Sequence, residues 1–245
     1  MKIPTSLIEI AEKVGNDITL VQGPGGNISY KKNNIMYIKA SGTKMSDAKK
    51  KNIFVKTDLL KIITAIESND PDPIKNSWSG DGLMKPSIET SMHAIMPHTY
   101  VLHVHCVNTL SWIVQKNFQK RIGIHLKDIK WIAIPYKKPG VCLSNALKVP
   151  LRESNANVIF LSNHGIIAGS NSANDVFSII KNISQKLFLG ELEKKIIDFS
   201  KIDKYLFNKK YKLPEYEYVH QIAFSYKYSQ MATKGIIFPD QIVFL

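Results

Sequence analysis

The chain has 245 residues, 44% of them apolar and 22% charged, a globular composition that excludes a disordered or collagen-like protein and allows a sizeable core without staples. Its net charge of +13 is carried by scattered lysines. Only Arg121 and Arg152 are arginine, and basic clusters with stacking aromatics are absent, so no nucleic-acid partner is expected.

Apolar runs such as Ile236-Ile237-Phe238 are too short to cross a bilayer, and the start MKIPTSLIEIAEK lacks the apolar stretch of a signal peptide. A cytoplasmic protein with no membrane partner is therefore expected. Cys106 and Cys142, without C-x-x-C spacing, read as reduced thiols.

Leu7, Ile8, Ala11 and Val14 recur at helical spacing, which predicts a helix over residues 4–14, capped by Thr5 or Ser6 and ended by Gly15. Gln22-Gly23-Pro24-Gly25-Gly26-Asn27 reads as a tight loop. Short strands follow at 28–31 and 35–39 about a Lys32-Asn33-Asn34 turn, and Ser41-Gly42-Thr43 ends the second. Lys49-Lys50-Lys51 and Lys209-Lys210 read as solvated faces. A helix over 58–68 is stopped by Asn69-Asp70-Pro71-Asp72-Pro73. Pro86-Ser87 opens a helix that ends near Pro97, and 100–107 reads as a buried strand.

Further strands are predicted at 130–134 and 158–162. The longest helical pattern runs over about 172–197, where Ser172 and Asp175 resemble a capping box. A turn and terminal strand are predicted over 235–245. No repeat or low-complexity linker divides the sequence, which predicts one α/β domain over residues 1–245.

His103 and His105 flank one residue in a predicted strand, so period two puts both imidazoles on one face, close enough to hold one ion. Val101 shares that face, and Leu102, Val104 and Cys106 face an opposite, buried side. His164 follows the strand at 158–162 and precedes Gly165. Three neutral imidazoles with one open position suit a catalytic zinc ion. On spacing alone the alternative stays open, that the pair decorates a sheet and His164 a turn.

Glu89 falls in the first turn of the helix expected from Ser87, where the helix N-terminus favours a carboxylate. It is either a favourable first-turn acid or, beside a metal-held substrate, a proton carrier. His93, one turn on, reads as packing, and His98, His125 and His220 receive no role. Gly25-Gly26-Asn27 and Ser41-Gly42 offer backbone N–H groups and small side chains that suit an anion, or make turns for local reasons. Gly23-Pro24-Gly25 is no dinucleotide fingerprint, because Ile28 takes the third glycine position and a strand follows.

Taken in order, Gln22-Gly23-Pro24-Gly25-Gly26-Asn27-Ile28-Ser29, Ile38-Lys39-Ala40-Ser41-Gly42-Thr43, Lys85-Pro86-Ser87-Ile88-Glu89-Thr90 with His93, His103-Val104-His105, Ser162-Asn163-His164-Gly165 and Pro239-Asp240-Gln241 resemble class II aldolase/adducin domains. The resemblance spans nearly the whole chain and is nearest the branch often fused to a short-chain dehydrogenase. It implies an αβα sandwich around a mainly antiparallel sheet, assembled as a homotetramer with sites near subunit interfaces.

The resemblance also implies a divalent metal, usually zinc, on His103, His105 and His164, with Glu89 as catalytic acid/base and a phosphate pocket from Gly26, Asn27, Ser41, Gly42 and Ser87. Phosphate-binding aldolases often carry two adjacent serines before the glutamate, whereas here Ile88 separates Ser87 from Glu89. The stretch from Glu89 to the histidine pair is shorter than in the fuculose-phosphate enzymes, so their substrate is not implied. Fused relatives continue past Pro239-Asp240, which leaves a stand-alone domain or a fragment as the expectation.

The implied activity is that of a metal-dependent lyase cleaving a small hydroxy-ketone, a sugar or sugar phosphate, by retro-aldol chemistry. Ketose-phosphate dehydratases and epimerases share the same motifs. A non-catalytic adducin-like scaffold lacks the histidines that this sequence retains.

Overall fold

The computed structural model describes residues 2–79, 82, 84–190, 198, 200, 206, 213, 215, 220–222 and 225–235. The chain divides into two units, Met1–Phe188 and Leu189–Leu245. The first is built on a seven-stranded sheet with the spatial order β3-β2-β1-β4-β7-β6-β5. Its strands are β1 Asn27–Lys32, β2 Ile35–Lys39, β3 Phe54–Asp58, β4 Tyr100–Val104, β5 Trp131–Ile134, β6 Val158–Leu161 and β7 Gly165–Ser170. Every neighbouring pair is antiparallel except β5 with β6.

Helices α1 Thr5–Gly15, α2 Leu59–Glu67, α3 Thr90–Ile95, α4 Val107–Ile113, α5 Phe118–His125, α6 Val141–Ser154 and α7 Ala173–Lys186 cover this sheet. Helices α2, α3 and α6 pack together on one face, and α7 lies on β4 and β7 with α1 and α4 beside it. The fold is therefore an αβα sandwich around a mainly antiparallel sheet. One core layer joins Met92 and Met96 to Val101, Ile134, Leu143, Leu147, Ile159, Leu161 and Ile167. Residues of the other parity, Leu102, Val104, Phe160, Ile166 and Ala168, are equally buried on the opposite face. Both faces of β4 are thus covered, and Val101 and His103 are as buried as the side the sequence reading took for the core.

Local chemistry explains most boundaries. Asn33 adopts the left-handed φ of 55° that closes the β1–β2 hairpin. Asp58 caps α2 by accepting the Lys61 N–H at 3.0 Å, and Ser172 caps α7 by accepting that of Asp175 at 3.3 Å. At α1 the cap position is Pro4 and no side chain caps it. Ser6 Oγ instead shares a hydrogen bond of 2.7 Å with the Tyr100 hydroxyl, which ties the helix to β4.

Three boundaries differ most from expectation. The strand expected over 100–107 ends at Val104, because Cys106 turns the chain into α4 and the Val107 N–H bonds Thr19 O at 2.8 Å. The helix expected from Ser87 starts at Thr90: Ala40 bridges Pro86 as a sheet-like pair, and Ser87 O accepts the Thr90 N–H at 3.0 Å in a turn. Helix α7 ends at Lys186, since the Trp112 indole N–H takes the Leu187 carbonyl at 2.7 Å. The sequence reading missed β3, β7, α4, α5 and α6; α6 contains Pro150, which reads as a breaker.

Lys49, Lys50 and Lys51 are exposed as expected, Lys49 pairing with Glu12 and Lys51 with Asp47. In the second unit, α8 (Tyr226–Thr233) is capped by Ser225 Oγ, which accepts the Tyr228 N–H at 3.3 Å. The helical stretch 191–197, the terminal strand, Pro239-Asp240-Gln241 and Lys209-Lys210 lie outside the described residues. Among the described residues no helix is long and apolar enough to cross a membrane.

Candidate metal centre and acid/base site

His103 lies on the central strand β4, with Asn27 opposite it on β1 and Ile167 opposite it on β7. His105 lies one residue beyond that strand, and its ring still meets that of His103, at 4.9 Å between centroids. His164 sits in the tight β6–β7 connection, where Asn163 takes a left-handed φ of 55° and the His164 N–H bonds Leu161 O at 3.0 Å. Its ring centroid is 4.9 Å from that of His103 and 5.3 Å from that of His105.

Two glycines permit this convergence. A Cβ on Gly165 would lie 2.6 Å from Val104 O, 2.9 Å from His103 Cε1 and 3.0 Å from His105 Cδ2. Gly26, at φ 65°, brings the first loop against the backbone of His103, whose carbonyl would be 3.0 Å from an added Cβ. The three imidazoles each offer one nitrogen, all within 4.8 Å of one another, and all three residues are buried.

The donor set fits a cation. His103 Nδ1 lies 3.0 Å from Ile166 O; a carbonyl only accepts, so that nitrogen carries the proton and Nε2 presents a lone pair. This lone pair faces His105 Nε2 at 3.0 Å and Glu89 Oε1 at 3.3 Å. Potential ligand atoms therefore converge from three side chains. Burial pushes the His103 pKa well below its ordinary value, against the pull of Glu89, which keeps the ring in the neutral, ligating form.

Glu89 occupies the cap position of α3 rather than its first turn, and its carboxylate caps no helix N–H. It points into the cluster: Oε1 is 3.0 Å from His164 Nε2, and Oε2 accepts from Asn27 Nδ2 at 2.9 Å. Burial opposes its ionisation, yet the surrounding His103, His164 and His105 outweigh burial and hold the carboxyl well below its ordinary pKa. His93 packs, as the sequence reading favoured, with Nδ1 at 2.8 Å from Ser29 Oγ. Burial lowers its pKa to about 3, opposed by Glu89 and assisted by Lys31 and Lys39.

The five residues named for an anion divide into two groups. Gly26, Asn27 and Ser87 are buried, the last two beside Glu89 and joined by a 2.6 Å hydrogen bond from Asn27 Nδ2 to Ser87 Oγ. Ser41 and Gly42 are exposed in the turn after β2, which the Ser41 N–H ties to Lys85 O at 2.9 Å. Lys39, a residue that sequence reasoning missed, braces the two loops: its Nζ donates to Pro24 O at 2.9 Å and to Thr43 O at 2.7 Å. Its place in the period-two pattern of β2 was the available signal, masked by the prior that lysines are exposed.

The domain resembles solved structures and a curated sequence. It superposes on the N-terminal class II aldolase domain of a conserved Thermoplasma acidophilum protein with a TM-score of 0.66 and 22% identity, covering 76% of this chain and 94% of that one. A sugar-phosphate aldolase from Thermotoga maritima gives a TM-score of 0.56 and 15% identity, with 74% and 91% coverage. These likenesses show the fold. An uncharacterized oxidoreductase, YuxG, of Bacillus subtilis is 25% identical over an alignment of 195 positions that covers 74% of this chain and 28% of that protein's length. The chain thus spans less than a third of the length of the curated relative it matches. Residues 5–185 match the family described as the class II aldolase and adducin N-terminal domain, and the chain belongs to that family.

Proposed function

We propose that the protein is a metal-dependent lyase that cleaves a small hydroxy-ketone, a sugar or sugar phosphate, by retro-aldol chemistry. The observation that carries the reading is a buried carboxylate oxygen of Glu89 lying 3.3 Å and 3.0 Å from the Nε2 atoms of His103 and His164 in a three-imidazole cluster. His103, His105 and His164 would hold the ion, and zinc suits three imidazoles with an open position. When bound, a divalent ion supplies Lewis acidity toward carbonyl and hydroxyl oxygens.

Glu89 carries the proton. It removes the hydroxyl proton as the carbon–oxygen bond becomes a carbonyl and the carbon–carbon bond breaks, then returns that proton to the carbon of the ketone fragment. Gly26, Asn27, Ser41, Gly42 and Ser87 would hold an anionic substituent, with Lys39 bracing two of the loops at Pro24 and Thr43. The Thermotoga maritima neighbour is a sugar-phosphate aldolase, a likeness that supports this substrate class. We further infer a cytoplasmic homo-oligomer, which light scattering tests.

Metal analysis after reconstitution with zinc, manganese, cobalt or iron, followed by product analysis on a ketose and ketose-phosphate panel, tests the reading. An aldehyde plus a three-carbon ketone supports cleavage, whereas a product one water lighter indicates dehydration. Less than about half an equivalent of every metal sinks the metal-dependent reading and returns the scaffold. Glu89→Gln should keep the metal and lose about 100- to 10,000-fold in turnover; parental turnover would remove Glu89 from the mechanism.

A further inference from the structure

The elements that carry the site leave the sheet at one end. His103 lies next to the last residue of β4; β1, antiparallel to β4, begins there with Asn27, β2 returns there at Lys39, and β6, antiparallel to β7, ends there before His164. Strand β5 is parallel to β6, with Ile134 opposite Leu161, so residues 135–140, which join β5 to α6, emerge at the same end. This segment is anchored at both ends beside the contact of Glu89 with His164. At its start the Ile134 carbonyl accepts the N–H of Ser162, two residues from His164, at 3.0 Å. At its finish a Cβ on Gly140 would lie 3.4 Å from Cγ1 of Ile88, the neighbour of Glu89.

In the strand order, the turns that precede β1 and follow β2 fall on one side of β4 and β5 falls on the other. A substrate held at the imidazoles with one end toward those turns has its other end toward 135–140. Glu89, which returns the proton to the ketone fragment, is bonded to Asn27 on the side of the turns, and this leaves the aldehyde fragment toward 135–140. The segment reads Pro-Tyr-Lys-Lys-Pro-Gly, and Tyr136, Lys137 and Lys138 are exposed. Its prolines fix their own φ and hold Ile134 and Lys138, which precede them, extended. Lys49, Lys51, Lys181 and Lys186 pair with carboxylates, whereas among the described residues Lys137 and Lys138 have no acidic partner. No acidic residue occurs in the chain between Asp128 and Glu153.

We propose that Lys137 and Lys138 are specificity-determining residues, which select a substrate whose aldehyde fragment carries an anionic group, a carboxylate or a phosphate. Each ammonium is a compact charge with three rotatable donors and accepts either group. The inference rests on the retro-aldol reading, and the recognition is testable apart from it.

Condensation, the reverse of cleavage, reads the preference on the zinc-loaded protein with dihydroxyacetone or its phosphate as donor. Glycolaldehyde, glyoxylate and glycolaldehyde phosphate serve as acceptors: a lead for glyoxylate marks a carboxylate, and one for glycolaldehyde phosphate marks a phosphate. Lys137→Ser/Lys138→Ser should cut the preference for the charged acceptor over glycolaldehyde about tenfold, through KM, as two exposed charge contacts allow. Lys137→Arg/Lys138→Arg should keep it, and about 0.5 M salt should weaken it in the parent. Lys116→Ser/Lys120→Ser removes the same charge from exposed positions elsewhere and should also keep it. A preference retained by Lys137→Ser/Lys138→Ser, or lost equally in the Lys116/Lys120 pair, overturns the proposal.

Reductive methylation with carbon-13 keeps the lysine charge and reads binding without turnover. The two signals missing from Lys137→Ser and Lys138→Ser should move in the parent with glyoxylate or glycolaldehyde phosphate and stay still with glycolaldehyde. Signals that ignore all three, or that respond no more than those of Lys116 and Lys120, overturn the proposal. Selective movement in a protein that neither cleaves nor condenses any member of the panel sinks the retro-aldol reading and leaves the anion recognition standing.

Discussion

A methyl group at Gly165 perturbs the histidine cluster without removing any imidazole. In Gly165→Ala the new Cβ would stand 2.6 Å from Val104 O and within 3.0 Å of both His103 Cε1 and His105 Cδ2. Optimal carbon–carbon separations are about 3.5–4.0 Å, so these atoms must part by about half an ångström or more. The Val104 carbonyl belongs to β4, where Val104 pairs with Ile166 of β7, and cannot give way without loosening the ladder. Overpacking of this kind costs about 1–3 kcal/mol. At urea slopes of about 1–3 kcal/mol per molar, the midpoint should fall by roughly 1 M. Zinc affinity should fall about 10- to 100-fold, the loss expected when the supports of metal ligands are disturbed. Far-UV circular dichroism in urea reads the first effect and competition with a chromophoric chelator the second. Gly123→Ala in α5, where a Cβ meets only Trp131 Cζ2 at 3.6 Å, is the control and should gain about 0.5–1 kcal/mol with zinc affinity unchanged. If Gly165→Ala matches its parent in both measurements, the close packing of turn and histidines has been misread.

His105→Ala should abolish most zinc binding and leave the fold intact, because a catalytic ion is not what holds a core of this size together. His125→Ala should bind zinc normally, its ring lying against Trp112 at 5.2 Å; zinc lost by the second variant and kept by the first would refute the ligand assignment. His93 is held at about 3 against 6.5, so between these values the unfolded chain binds a proton that the folded one excludes. Its contribution is fully present above pH 6.5 and lost as pH falls toward 3, by up to about 5 kcal/mol; His93→Asn should give a flatter acid limb, and parallel profiles would count against it. Burial lowers Lys31 from 10.5 to about 7, so stability should rise from pH 7 to 10 in the parent and stay flat in Lys31→Met.

Local rules made part of this molecule legible and long-range register made the rest. The β1–β2 hairpin and the caps of α2 and α7 follow from a few adjacent residues, Asn33, Asp58 and Ser172, whose preferences agree with the fold. Period two paired His103 with His105, although the strand stops at Val104, one residue short of His105, and the rings still meet at 4.9 Å. The setting of Glu89 was not readable. Its expected benefit from a helix N-terminus is replaced by contacts with Asn27, His103 and His164, residues separated from it in sequence and gathered by the register that places Asn27 opposite His103.

A buried lysine is equally silent in sequence, since its usual place is the surface. Lys31 and Lys39 show why the exceptions occur here: each Nζ is surrounded by main-chain carbonyls of irregular segments, the end of α3 for Lys31 and the two glycine-containing loops for Lys39. Segments without ladder partners leave carbonyls that must be satisfied, and a long flexible donor reaching out of the regular sheet satisfies several at once. The sheet thereby fixes the loops that frame the site. Side chains of β1 and β2 set the positions of Glu89 and the anion-side turns, while β4 and the β6–β7 turn set the imidazoles. A substitution on the inward face of β1 should therefore alter proton transfer without stripping the metal, and one at Gly165 should do the reverse.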